Sequence, residues 1–151
     1  YQTVLDRRGE GTEVDPAEMF KYKYVINTHG NGNEWNNRFR SLLSSGAVVF
    51  KQASTLYEFW EATLVPFEHY IPVNADFSDL TSKIEWALQN DAAARQIARN
   101  AAGFVRTQLS YQRAECYWAR LLTRYSRLQA FAPARPPNAS HVLNLALVHR
   151  G

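Results

Sequence analysis

Ala47-Val48-Val49-Phe50 is an unbroken apolar run set between Gly46 and Lys51. A strand with one wet face alternates apolar and polar residues. A run without alternation marks a strand covered on both faces, as in a parallel sheet flanked by helices. The sequence around it follows the same plan. Residues 21–28 (KYKYVINT) alternate aromatic or β-branched residues with polar ones and predict a strand. A glycine–asparagine loop follows, then a short helix over residues 36–44 with Phe39, Leu42 and Leu43 on one side. Gly46 stands where a glycine ends a helix. The apolar strand covers 47–51. A second helix is expected over 55–64, capped by Ser54 or Thr55 and stopped by Pro66. A third strand is expected over 69–73, where Pro72 suggests an edge or a strand end.

From residue 76 onward the pattern is helical. Asp76 or Ser78 can cap a helix carrying Leu80, Ile84, Trp86 and Leu88. Asn90 or Asp91 can cap the next, through Ile97, Ala101 and Phe104 to about Leu109. A last helix holds Tyr117, Leu121, Tyr125 and Leu128. Alternating strands and helices predict an α/β fold with a small parallel sheet followed by C-terminal helices. Residues 1–20 read as a loop or the remnant of a preceding element, 21–131 as the domain, and 132–151, with Pro133, Pro136 and Pro137, as a tail. The chain opens at Tyr1 without an initiator methionine or a signal peptide, so a processed chain or a piece of a longer one is expected.

Charge is unevenly spread. Residues 1–90 hold 8 Lys+Arg against 12 Asp+Glu, whereas residues 91–151 hold 9 arginines against 2 acids. Arg99, Arg106, Arg113, Arg120 and Arg127 recur every seven residues. Such a stripe could track a phosphate backbone, but no lysine and no nucleic-acid motif accompanies it, and a solvated helix face is the expectation. The one cysteine, Cys116, excludes an internal disulfide framework and is expected to be a buried structural thiol. His29, His69, His141 and His149 show no metal-ligand spacing, and His69 is expected to pack at a strand end. Trp60, Trp86, Tyr117 and Trp118 fit core packing better than a sugar-stacking platform. No apolar run is long enough to span a membrane.

The segment with chemical character lies between the first strand and the first helix: His29-Gly30-Asn31-Gly32-Asn33-Glu34-Trp35-Asn36-Asn37-Arg38-Phe39-Arg40. Ligands of open α/β sheets bind beyond the carboxyl ends of the strands. Glycines there let a ligand approach the backbone, a helix start offers N–H groups, and arginine donates two hydrogen bonds to a phosphate. The combination suits a diphosphate. It is neither the Gly-x-Gly-x-x-Gly fingerprint nor a P-loop, and spacing alone leaves open a loop that merely turns the chain.

Taken in order, Lys21-Tyr22-Lys23-Tyr24, Gly30-Asn31-Gly32, Arg38-Phe39-Arg40, Gly46 to Gln52, Tyr57-Glu58-Phe59-Trp60 and His69-Tyr70-Ile71-Pro72-Val73 resemble the CAP10-type glycosyltransferases, glycosyltransferase family 90. That family includes capsule-associated xylosyltransferases and protein O-glucosyltransferases. The resemblance runs from about Tyr22 to Tyr125. It implies the Rossmann-like, three-layer donor-binding half of a two-domain GT-B enzyme. The donor would be a UDP-sugar of xylose or glucose, transferred with inversion to a hydroxyl of a glycan or protein, without a metal ion or other cofactor. By resemblance, Arg38 contacts the donor diphosphate. Gly30, Asn31, Gly32, Asn33, Glu34, Trp35, Asn36, Asn37 and Phe39 belong to the donor-wrapping segment, and Glu58 steadies the ribose or the loop. The family's catalytic base is an aspartate of the other half, so no catalytic residue is expected in this chain. The family usually carries Asp where His29 stands. Asn33-Glu34 look inserted, and Asn36-Asn37 replace a serine and a small residue. A secretory location, Golgi or endoplasmic reticulum, is implied, where the sequon Asn138-Ala139-Ser140 could be used. The partners implied are the donor, the acceptor and the N-terminal half. The competing readings are a truncated non-catalytic domain and an arginine-rich nucleic-acid-binding module.

Overall fold

The structure is a computed structural model that describes residues 2–5, 11–14, 18, 20–28, 38–131 and 134. Where a loop is expected near the start, β1 (Gln2–Leu5) pairs antiparallel with β2 (Gly11–Val14), Gln2 opposite Val14 and Leu5 opposite Gly11. Thr3, Val4, Thr12 and Val14 supply the β-branched residues that suit strands.

The main sheet has three parallel strands in the order β3 (Tyr24–Asn27), β4 (Val48–Gln52), β5 (Ile71–Val73). Tyr24 pairs with Val48 and Asn27 with Lys51; on the other side Phe50 pairs with Ile71 and Gln52 with Val73. The apolar run is thus the central strand, and Val48, Val49 and Phe50 are buried, as their lack of alternation predicts. The third strand is shorter than the expected 69–73 and begins at Ile71; Pro66 and Tyr70 form only an isolated bridge before it.

Side chains alternate between two apolar clusters. Val25 and Val49 join Phe39, Leu42 and Leu43 of helix α1 (Arg38–Ser44), with Trp60 and Leu64. Val48, Phe50, Ile71 and Val73 join Ala87 of helix α2 (Leu80–Gln89). Helix α3 (Asp91–Gln108) serves both: Ala94, Ile97 and Ala98 enter the second cluster, Ala101 and Phe104 the first. Its alanines let it approach closely. Asp91 begins α3 and bonds Lys23, which precedes β3, and Arg95 at 2.8 Å. Asn90 does not cap α3 with its side chain; its amide donates to the Trp86 carbonyl and closes α2. Nor does Asp76 cap α2. Its carboxylate accepts the Ser78 N–H in a turn before the helix. Gly46, at φ +83°, ends α1 in the left-handed conformation that glycine adopts without strain.

Residues 55–64 are not the helix their spacing suggests; only Glu61–Thr63 turn, as a 3-10 helix. Local side chains take the backbone groups a helix would use. Ser54 Oγ accepts the Leu56 N–H at 3.0 Å, and Glu61 Oε1 accepts the Glu58 N–H at 3.2 Å. Leu56, Tyr57 and Phe59 are exposed, so no apolar stripe repays a helix there.

Residues 1–114 form one compact unit and 115–151 a second. Helix α4 (Tyr111–Ser126) begins in the first and continues in the second. Along it, Tyr117, Trp118, Leu121, Leu122 and Tyr125 are exposed, so the expectation that Tyr117 and Trp118 pack in a core fails. Cys116 is exposed too, against the expectation of a buried thiol. At 100° per residue it falls away from the arc that holds Tyr117, Leu121 and Tyr125. The arginines recurring from Arg99 to Arg127 are exposed, as a solvated face requires.

Candidate functional site

Three of the residues expected at the donor site are described: Arg38, Phe39 and Glu58. His29, Gly30, Asn31, Gly32, Asn33, Glu34, Trp35, Asn36 and Asn37 lie outside the described residues. So do His141, His149 and the Asn138 sequon.

Arg38 opens α1 beside the carboxyl end of β3. Its Nε donates to Asn27 Oδ1 at 3.4 Å, and its Nη2 donates to the Thr28 carbonyl. Asn27 is 5% exposed, the only polar side chain buried to that degree among the described residues. The last residue of β3 therefore places the guanidinium. Burial holds the Arg38 guanidinium below its ordinary pKa, because desolvation disfavours the charged form. Arg40, two residues on, does something else. Its Nη2 donates to the Leu109 carbonyl at 3.0 Å, satisfying the C-terminal end of α3. Of the two arginines, one is turned to the strand end and one is a helix cap.

Phe39 points into the first cluster. It stacks on Trp60, with centroids 5.6 Å apart and planes 24° off parallel, and meets Tyr70 edge-on. Glu58 lies in the irregular segment after β4, half-buried, and its Oε2 accepts the Trp60 indole N–H at 2.8 Å. Glu58 is thus tied to the aromatic pair through Trp60, while Arg38 precedes Phe39 in the chain and turns its guanidinium to the end of β3.

A cavity of about 450 Å³ opens at the carboxyl end of β4, walled by Lys51, Gln52, Tyr57, Glu61, Tyr70 and Pro72 among others. Lys51 Nζ lies 3.1 Å from Glu61 Oε2, with side chains only 11% and 7% exposed, and 5.3 Å from the centre of the Phe39 ring. The Tyr70 hydroxyl is held above its ordinary pKa, first by burial and then by the negative charge of Glu61. Gln52 donates to the Ala75 carbonyl at 2.6 Å. Asn27, Lys51 and Glu61 were not picked out from the sequence. Asn27 and Lys51 meet across β3 and β4 by sheet register, which local spacing does not encode. A signal did exist in Lys51, a charge placed directly after a run buried on both faces.

His69 packs as expected. Its Nδ1 accepts the Val65 N–H at 3.0 Å and its ring lies 5.1 Å from that of Phe104. Among the described residues, no group of three or more His, Cys, Asp or Glu could hold a metal ion. No described helix is long and apolar enough to cross a membrane.

The sequence profile of glycosyl transferase family 90 matches residues 3–150. Protein O-glucosyltransferase 2 of Danio rerio is 40% identical over 116 residues, which is 77% of this chain and 23% of that protein. Protein O-glucosyltransferase 3 of Mus musculus is 35% identical over 133 residues, 88% of this chain and 26% of the relative. Protein O-glucosyltransferase 1 of Homo sapiens is 34% identical over 137 residues, 89% of this chain and 34% of the relative. The chain spans about a quarter to a third of the length of these relatives.

Proposed function

The chain belongs to glycosyl transferase family 90, and on that premise we propose that it is the donor-binding half of a glycosyltransferase that moves glucose or xylose from a UDP-sugar to a hydroxyl of a glycan or protein. The observation that carries this reading is the place of Arg38. A guanidinium stands at the carboxyl end of a parallel strand, held by Asn27 and the Thr28 carbonyl. Open α/β sheets bind phosphorylated ligands at that end, and a fork already fixed by protein acceptors loses little freedom when a diphosphate arrives.

In this reading the bond between the sugar's anomeric carbon and the β-phosphate oxygen breaks, its electron pair leaving with UDP. Arg38 stabilises the charge that builds on that oxygen. The acceptor oxygen bonds the anomeric carbon from the opposite face, which inverts it. Its proton passes to a carboxylate in the acceptor half of a GT-B enzyme. That carboxylate lies outside this chain, and Glu58 serves the ribose side of the donor instead. No metal ion is required, and the setting is the secretory pathway. The relatives named protein O-glucosyltransferase favour glucose over xylose as the sugar to test first.

In the full-length protein, Arg38→Ala abolishes UDP binding in a calorimetric titration, and it lowers the melting temperature without unfolding the protein, because the buried Asn27 Oδ1 loses its donor. Arg38→Lys recovers little, since a point charge replaces a planar fork. Chelation with EDTA leaves UDP affinity unchanged. UDP affinity unaltered by Arg38→Ala would overturn the assignment.

A further inference from the structure

Lys51 and Glu61 form an ion pair that water hardly reaches, in the wall of the cavity at the carboxyl end of β4. Burying two charges is expensive, and apolar residues of like volume serve a core as well or better. A pair kept in such a place calls for a use beyond packing. Each member also makes a second contact. Glu61 gives Oε2 to the Lys51 ammonium and Oε1 to the Glu58 N–H at 3.2 Å. Lys51 lies over the Phe39 ring, which stacks on Trp60, whose indole N–H binds the Glu58 carboxylate. The contacts close a ring: Lys51, Glu61, Glu58, Trp60, Phe39, and back to Lys51. Arg38 is joined to it through the backbone of Phe39.

We propose that Lys51 and Glu61 are positioning residues that lock Glu58 in register with Arg38, so that the two ends of a nucleoside diphosphate meet a preset site. The proposal rests on the donor reading above. The segment after β4 is irregular and has no ladder of its own to fix it. Its reference point is the sheet, and the Lys51–Glu61 pair is a direct link from β4 to that segment. Glu61 fixes both the backbone and, through the short turn to Trp60, the carboxylate orientation of Glu58. A site held in its bound arrangement gains affinity because less freedom is lost when the ligand arrives.

The test uses UDP as the probe, titrated calorimetrically into the full-length protein, with a thermal melt of each variant. The double variant Lys51→Met with Glu61→Leu removes both charges and leaves none unpaired. It melts near the parent yet binds UDP about tenfold or more weakly. Lys51→Met alone weakens UDP binding by a similar factor, and Lys51→Arg recovers most of that loss. Glu61→Asp keeps the charge but draws the carboxylate back from the Glu58 N–H. It weakens binding by about threefold or more, and decides the matter should the double variant fail to fold. A double variant that melts and binds UDP like the parent, or a Glu61→Asp variant with parental affinity, overturns the positioning role alone. A parent that binds no UDP overturns the donor reading and the positioning role with it.

Discussion

Asn27 shows how much one side chain can decide. It ends β3, is buried, and gives Oδ1 to the Arg38 Nε. Asn27→Ala leaves a partly desolvated guanidinium short of an acceptor. The expected cost is about 1–3 kcal/mol, read as a lower urea midpoint at unchanged slope, with weaker UDP binding beside it. Tyr70 carries a pH signature. Its hydroxyl is held above the ordinary tyrosine value by burial and by Glu61. The unfolded chain therefore gives up this proton at lower pH than the folded one. The stabilisation is complete below the ordinary tyrosine value and is lost as pH rises through the folded one. Alkaline melts of the parent fall more steeply than those of Tyr70→Phe; equal slopes would show that Tyr70 contributes nothing. Of these residues, Arg38 alone was singled out from the sequence as a candidate. Arg38 stood out because a charge after a glycine-rich loop is a local pattern. Asn27 and Glu61 did not, because an asparagine at the end of a strand and an acid in a presumed helix look ordinary. Only sheet register and the 3-10 turn bring Asn27 to Arg38 and Glu61 to Lys51 and Glu58.

Among the elements, the strands were the most legible and the segment from 53 to 64 the least. Val48, Val49 and Phe50 announce a central strand because burial on both faces erases alternation. Leu56, Phe59, Trp60 and Leu64 imitate a helical stripe, yet only Trp60 and Leu64 are buried. Spacing records which residues are apolar, not whether side-chain hydrogen bonds from Ser54 and Glu61 outcompete the helix. The hairpin of β1 and β2 was missed for a different reason: four-residue strands among glycines and acids carry too little pattern. The junction of β3 and α3 yields a test. The Lys23 ammonium, and after it Arg95, hold the Asp91 carboxyl below the ordinary carboxylate value. The stabilisation is present above the unfolded value and is lost as pH falls through the folded one. Asp91→Asn lowers the melting temperature modestly at neutral pH, less in high salt because these groups are exposed, and not at all in acid. A loss that persisted in acid would point to packing instead.

At the scale of the molecule, membership of the family rests on nearly the whole chain, with residues 3–150 matched, although the chain covers a minor share of each relative. The split of charge is visible as well: acidic groups gather before residue 91 and exposed arginines after it. The sheet order β3-β4-β5 has one further consequence, in time rather than in space. Each parallel pair waits on a crossover, residues 28–47 for the first and 53–70 for the second. A chain must close those loops before β4 gains either neighbour, so folding is slow relative to a helical bundle of the same size. Once paired on both edges and covered on both faces, β4 opens only when the sheet itself comes apart. The amide protons of Val49 and Phe50 should therefore exchange with deuterium last, at the rate of global unfolding, while those of residues 55–60 exchange early. Early exchange at Phe50 would mean that the sheet breathes strand by strand.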